Sequence, residues 1–314
     1  MNILKYSVVY LSYSQGLARH RKAWHNLPMQ KTSDTPRRLV VCADDYGISP
    51  AVSAGIRELA EMGRISATGV MALMPFWPED AAALASLRAD LQGRLHVGLH
   101  LTFTDQAPLG AMPQLAPDGK LPSVGALLRR VFAKGLPQDE VAAEITRQID
   151  AFEDHFGHAP DFIDGHQHVH LLPVIRDEVL NLFGTRLDPR KTWLRDCWDR
   201  TGALVRRPCF SKALFIAKLG RALHEQAQRE VVRTNNGFSG FYDFFRADFT
   251  LSVPRMLAKV EDGHLLMVHP GHVDPALCGV DSLTTPRQDE WNFLAGERFL
   301  ALLQRHNLVV APLF

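Results

Sequence analysis

The stretch LVVCADDYGISPAVSAGIRELAEMG, residues 39–63, carries the reading of the fold. Its first five residues are a continuous apolar run, as expected of a parallel strand buried on both faces. Ser49 and Pro50 then supply an N-cap and a proline suited to the first helical turn. Val52, Ile56 and Leu59 recur on one face of the helix that follows, and Gly63 stops it. Between strand and helix stand two adjacent aspartates, Asp44 and Asp45.

The same alternation continues along the chain. Strands are predicted at 66–73, 94–103, 161–167, 192–197, 231–234, 264–270 and 308–313, with helical patterns between most of them. The longest of these helices, PQDEVAAEITRQIDAFEDHFG, turns Val141, Ile145, Ile149, Phe152 and Phe156 to one side and ends at Gly157. A Pro/Gly-rich loop from Pro108 to Pro122 precedes it. Eight strands in β/α alternation, with no dividing linker, predict an α/β fold with a single irregular (β/α) TIM-like barrel over 37–314. A doubly wound open sheet is the rival that periodicity does not separate. Residues 1–36 carry no amphipathic period and read as a poorly ordered extension with Met29 nearer the true start; the rival reading, a secretory signal, is disfavoured because the short apolar run is interrupted by Tyr and Ser and lacks a clean cleavage site.

Composition narrows the classes of function. Of 314 residues, 46% are hydrophobic and 22% charged, which suits a globular protein with a substantial core. A net charge of +1 gives no global field that would point to nucleic acid or an anionic membrane as the main partner. No apolar run is long enough for a membrane span. Cys42, Cys197, Cys209 and Cys278 form no CxxC pair and fit reduced thiols in a cytoplasmic protein.

On the predicted strands the polar residues fall at one edge. Asp44 and Asp45 follow strand one, and His100 lies near the end of strand three. Asp164, His166, His168 and His170, in DGHQHVH, close strand four. Arg195 and Asp196 end strand five, Asn235 and Asn236 follow strand six, and His269 ends strand seven. This is the C-terminal edge, where barrel enzymes build their sites. In an extended strand the three clustered histidines would share one face. One carboxylate and two imidazoles make a three-ligand catalytic metal set, which Asp45, His100 and one histidine of the cluster supply. Such a set suits Zn²⁺ and its neighbours, Mg²⁺ less naturally because it prefers oxygen. A metal of this kind lowers the pKa of a water from 15.7 toward roughly 7, and Asp44 stands ready as the base. Each residue also has a plain structural reading, as a helix cap, turn or hydrogen-bonded core group.

Five blocks, VVCADDYGISPAVSAGI, VGLHLTFT, DFIDGHQHVHLLP, NGFSGFYDF and LMVHPGH, resemble in order the signature blocks of the YdjC-like carbohydrate deacetylases. The resemblance spans roughly residues 37 to 275 and implies a distorted barrel related to polysaccharide deacetylases. It implies hydrolysis of an N-acetyl group from a GlcNAc-containing sugar, on a chito-oligosaccharide or a glycolipid, with one divalent metal ion, Mg²⁺ or Zn²⁺. Carried over by position, Asp45, His100 and His166 match the ligands, Asp44 the base and His269 the acid that protonates the departing amine. Tyr46 and Gly165 stand where the family commonly has Phe and Ser.

Asp164, His168 and His170 are candidates for orienting ligands or contacting substrate. Arg195 and Asn236 are candidates for binding hydroxyls, and Trp193, Phe238 and Tyr242 for stacking on a sugar, with core packing as the counter-reading. A homodimer is compatible with this reading. The competing functions are another metal-dependent amidohydrolase, a phosphodiester hydrolase with two metals, and a non-catalytic sugar-binding scaffold.

Overall fold

A computed structural model describes residues 35–314. The extension expected over 1–36 therefore lies, up to residue 34, outside the described residues. Among the described residues eight strands are present: β1 (Arg37–Tyr46), β2 (Ala67–Val70), β3 (His96–Leu101), β4 (Phe162–Gly165), β5 (Trp193–Leu194), β6 (Phe238–Ser239), β7 (His264–Val268) and β8 (Leu308–Val310). The helices are α1 (Pro50–Glu61), α2 (Trp77–Asp90), α3 (Val124–Ala133), α4 (Gln138–Phe156), α5 (Ile175–Thr185), α6 (Thr201–Leu204), α7 (Phe210–Arg229), α8 (Phe249–Met256), α9 (Pro275–Val280), α10 (Thr285–Ala295) and α11 (Glu297–His306).

Every strand pair is parallel, in the order β5-β4-β3-β2-β1-β7-β6, with β8 off that path on β1. The sheet curls until β5 meets the chain just before β6, through the single bridge Leu194–Thr234. A regular eight-stranded TIM ring is not formed. β7 flanks β1 from Leu39 to Ala43, and β8 reaches only Arg37 to Leu39. The strand expected at 231–234 is displaced to Phe238–Ser239. Asn235 braces the resulting seam: its amide accepts from Asp196 N at 2.8 Å and donates to Asp196 O at 2.9 Å, doing for one residue what a ladder would do for several.

The first βα unit forms as its sequence requires. β1 is buried from Leu39 onward, and Ser49 caps α1 by accepting from Val52 N at 3.3 Å. In α4 the five predicted apolar residues are all buried, each worth roughly 1.5–3 kcal/mol. Glu144 and Gln148 on the same helix are also buried, and they hold the loop after β3. Gln148 exchanges hydrogen bonds with Thr102 N (3.0 Å) and O (2.8 Å), and Glu144 accepts from Leu109 N at 2.9 Å. The loop is thereby fixed beside the C-terminal edge of the sheet.

Candidate active site

Neighbouring residues of a regular strand face opposite sides, yet Asp44 and Asp45 both reach the same cleft. The register of β1 against β2 shifts between Ala43 and Tyr46, and Asp45 takes a left-handed φ of 69°. Aspartate is among the few side chains that accept this conformation readily. The irregularity swings the second carboxylate round to join the first.

His100 pairs in register with Asp164 across β3 and β4. Asp164 Oδ1 lies 2.7 Å from His100 Nδ1, which fixes the tautomer and leaves Nε2 free to act as a ligand. Space for this pair comes from Gly69 on β2, where an added Cβ would lie 3.0 Å from His100 Nδ1. Burial alone would lower the His100 imidazole, but the Asp164 and Asp44 carboxylates overcome it and push it up to about 10.

The histidine cluster does not continue β4 as a strand. It folds into a 3₁₀ turn, His166–Leu171, with Gln167 and His168 both left-handed. The three imidazoles consequently do not share a face. His166 turns to Asp45, its Nδ1 2.8 Å from Oδ1. His168 packs edge-on against Phe238 and Phe241 near Cys197, and burial holds it well below the usual histidine range. His170 is buried against Arg195 O at 3.2 Å and is pushed down to about 3, burial acting first and the Arg195 charge next. At Gly165 an added Cβ would lie 2.9 Å from His170 N, so this turn is packed for glycine.

The donor atoms of Asp45, His100 and His166 all lie within 4.8 Å of one another, and Asp45 Oδ1 is 3.4 Å from His100 Nε2. One carboxylate and two imidazoles at that separation fit a divalent ion with an open coordination position. Asp45's outer oxygen is held by Arg287 at 2.6 Å, and Arg287 also binds Asp281 at 2.6 Å. Burial would raise the Asp45 carboxyl, but the charges of Arg287 and His166 hold it well below the usual range. Asp44 is gripped by the buried Arg195, whose Nη1 and Nη2 reach its two oxygens at 2.7 and 2.5 Å, while Nη2 also meets Asp164 at 2.5 Å.

A cleft of about 440 Å³ opens over these residues, lined by Asp44, Asp45, His166, His168, His269 and Arg287 at its floor. Its walls carry Val124 and Leu128 from α3, Phe215, Ile216 and Leu219 from α7, and Phe244 and Phe245. Burial pushes the His269 imidazole down to about 4, against the pull of Asp45 and Asp44. An imidazolium is therefore not its resting form at neutral pH. Glu290, fully buried, accepts from His269 N at 2.6 Å and from the Tyr242 hydroxyl at 2.8 Å, which fixes where His269 stands.

Several weaker candidates lie elsewhere. Asn236 precedes β6 rather than following a strand, so it sits at the opposite end of the sheet, donating to Asp262 O at 3.2 Å. Trp193, Phe238 and Tyr242 are core residues; the aromatic walls of the cleft are Phe215, Phe244 and Phe245 instead. Arg195 is wholly buried and reaches carboxylates, not open space. Arg287 and Glu290 were not among the sequence candidates. Their signal was present: on α10 they share one buried stripe with Phe293 and Leu294, two charges where apolar residues belong.

A curled parallel sheet with a carboxylate–imidazole cluster at its C-terminal edge defines a β/α protein with a hydrolase-type site. Residues 38–305 match the model of the YdjC-like protein family, and the chain belongs to that family. It is 38% identical over 138 residues to a chitooligosaccharide deacetylase of Enterobacter sp., a match covering 44% of this chain and about half, 52%, of that protein. It is 29% identical over 264 residues to a chitooligosaccharide deacetylase of Klebsiella pneumoniae, covering 82% of this chain and 90% of the relative. A crystal structure of an Enterococcus faecalis protein, given a provisional role in cellobiose-phosphate cleavage, shares the fold. Its TM-score is 0.65 at 20% identity, over 89% of this chain and 98% of that one.

Proposed function

We propose that the chain is a metal-dependent N-deacetylase that hydrolyses the acetamide of a GlcNAc-containing sugar. The observation that carries this reading is the convergence of Asp45, His100 and His166 in one cleft that Asp44 and His269 also line. The deacetylase names of the relatives support it. The ligand chemistry favours Zn²⁺ over Mg²⁺. A divalent ion held there by Asp45, His100 and His166 would supply Lewis acidity for the amide carbonyl and would lower the pKa of a water.

The remaining work falls to the chain's own groups. Asp164 keeps the Nε2 lone pair of His100 directed inward. Arg195 fixes both oxygens of Asp44 so that a free lone pair can take a proton from the attacking water. His269, neutral at rest, relays a proton to the nitrogen as the C–N bond breaks. Water is consumed, and acetate and a free amine leave. The aliphatic and aromatic walls favour a sugar that carries an apolar group, a glycolipid over a bare chito-oligosaccharide.

A two-metal phosphodiesterase reading finds little support. The second candidate group, Cys42, Asp44 and Asp164, already holds the Arg195 guanidinium in the place a cation would take. The four cysteines are unpaired, and among the described residues no helix is long and apolar enough to cross a membrane. Unpaired thiols support a reducing compartment, the cytoplasm.

The test is acetate release from a panel of N-acetylated sugars and glycolipids, with Asp44→Asn as control. That variant should keep its metal and lose about 10²–10⁴ in rate. Near-normal acetate release from it would remove Asp44 as base.

A further inference from the structure

We propose that the rim of this cleft docks on an anionic phospholipid surface. Three phenylalanines stand out of it: Phe132, Phe215 and Phe245 are 65%, 45% and 70% exposed. Phe215 and Phe245 line the cleft as well as facing solvent. Phe132 continues the stripe of Val124 and Leu128 at four-residue spacing, so the apolar wall of α3 runs out of the cleft and onto the surface. Single exposed apolar residues are ordinary. Three around the mouth of one apolar cleft are a patch, and patches of this kind mark interaction sites.

Charge identifies the occupant. Each phenylalanine has an exposed cation beside it: Arg129 three residues before Phe132, Lys218 three after Phe215, and Arg246 next to Phe245. Among the described residues none of these three has a carboxylate partner. Between residues 124 and 134 there is no acid at all, and none between 210 and 224. The two acids of the third segment are engaged by nearby backbone rather than by Arg246, Asp243 accepting from Phe245 N at 3.2 Å and Asp248, at the helix N-cap, from Thr250 N at 2.7 Å. Aromatic residues interleaved with unpaired cations are the pattern of a surface that sits in the headgroup layer of a bilayer.

A second copy of the chain fits poorly, because a two-fold contact would set this basic rim against itself. The net charge of +1 conceals the arrangement, since acids elsewhere cancel it. On the reading of the cleft as a deacetylation site, docking would let a membrane-anchored substrate present its sugar to the floor without leaving the bilayer.

The experiment is sedimentation of the full chain with vesicles of phosphatidylethanolamine and phosphatidylglycerol, against phosphatidylcholine alone. The chain should pellet with the anionic vesicles and be released by salt. The triple variant Arg129→Ser, Lys218→Ser, Arg246→Ser should bind at least about tenfold more weakly, and Phe132→Ser should also lose binding. All these variants should release acetate from a soluble chito-oligosaccharide at the wild-type rate, since none alters a residue lining the cleft. Failure of the wild type to pellet, undiminished binding by the triple variant, or a dimer in solution that Phe132→Ser dissociates would each overturn the proposal. Vesicle binding without acetate release from any substrate would leave docking standing and remove the deacetylase reading instead.

Discussion

Arg195 and Arg287 are both buried, and each ends on a different member of the tandem Asp44–Asp45 pair. A buried guanidinium is tolerated only where carboxylates match it closely, so these arginines are as much a part of the site as the groups they hold. Arg287 Nη2 reaches both Asp45 and Asp281 while its Nε also donates to Asp281 at 3.1 Å, an arrangement that a lysine, lacking the planar fork, would reproduce poorly. Arg287→Lys should therefore lower metal affinity by about tenfold or more, measured by competition with a chelator. Unchanged affinity would show that Asp45 needs no orientation. The ligand candidates were legible in the sequence because reactive residue types stood at predicted strand ends. Arg287 stood on the same helical stripe as Phe293 and Leu294, but that stripe does not by itself tie it to the site, because its partner Asp45 is 242 residues away in the chain and a lone arginine on a helix most often faces water.

Two short backbone departures, the bulge at Asp44–Asp45 and the 3₁₀ turn at His166–Leu171, aim the side chains. Neither was visible to a reading based on strand and helix periods, which has no signature for isolated left-handed residues. The sequence reading consequently placed all three histidines on one face, whereas the turn sends only His166 to Asp45. The strands that present these groups rest on close packing, and Gly69→Ala should displace the His100–Asp164 pair at about 1–3 kcal/mol, read as a loss of thermal stability together with weakened metal binding.

Two buried histidines also set a pH dependence. His170 and His269 have folded values of about 3 and about 4, below the ordinary 6.5. Unfolding lets each imidazole take up a proton that the fold excludes. Stability is thus fully present above about pH 6.5 and is lost as pH falls toward those folded values, by at most about 1.4 kcal/mol per pH unit for each group. Melting of the metal-free chain should show the decline, and His170→Asn should make it shallower while His269 keeps its own share. An unchanged slope in that variant would contradict the assignment to His170.

Across the molecule, the βα alternation foretold the parallel sheet but not how it closes. β5 and β6 are two residues each, and their seam rests on one bridge and on Asn235. Strands this short carry too few residues for any periodic pattern, which is why β6 was expected four residues or more too early. Hydrogen exchange should be faster at residues 193–198 and 234–239 than in the β1–β7 ladder, and Asn235→Ala should accelerate it further. Equal protection in both regions would show that the sheet closes more firmly than its hydrogen bonds indicate.

The metal content of the purified chain, beside that of His100→Ala and His166→Ala, bears most directly on the assigned chemistry. The wild type should carry one divalent ion per chain and both variants none, with their circular dichroism unchanged. Full metal occupancy in either folded variant would contradict the assignment of Asp45, His100 and His166 as the ligand set.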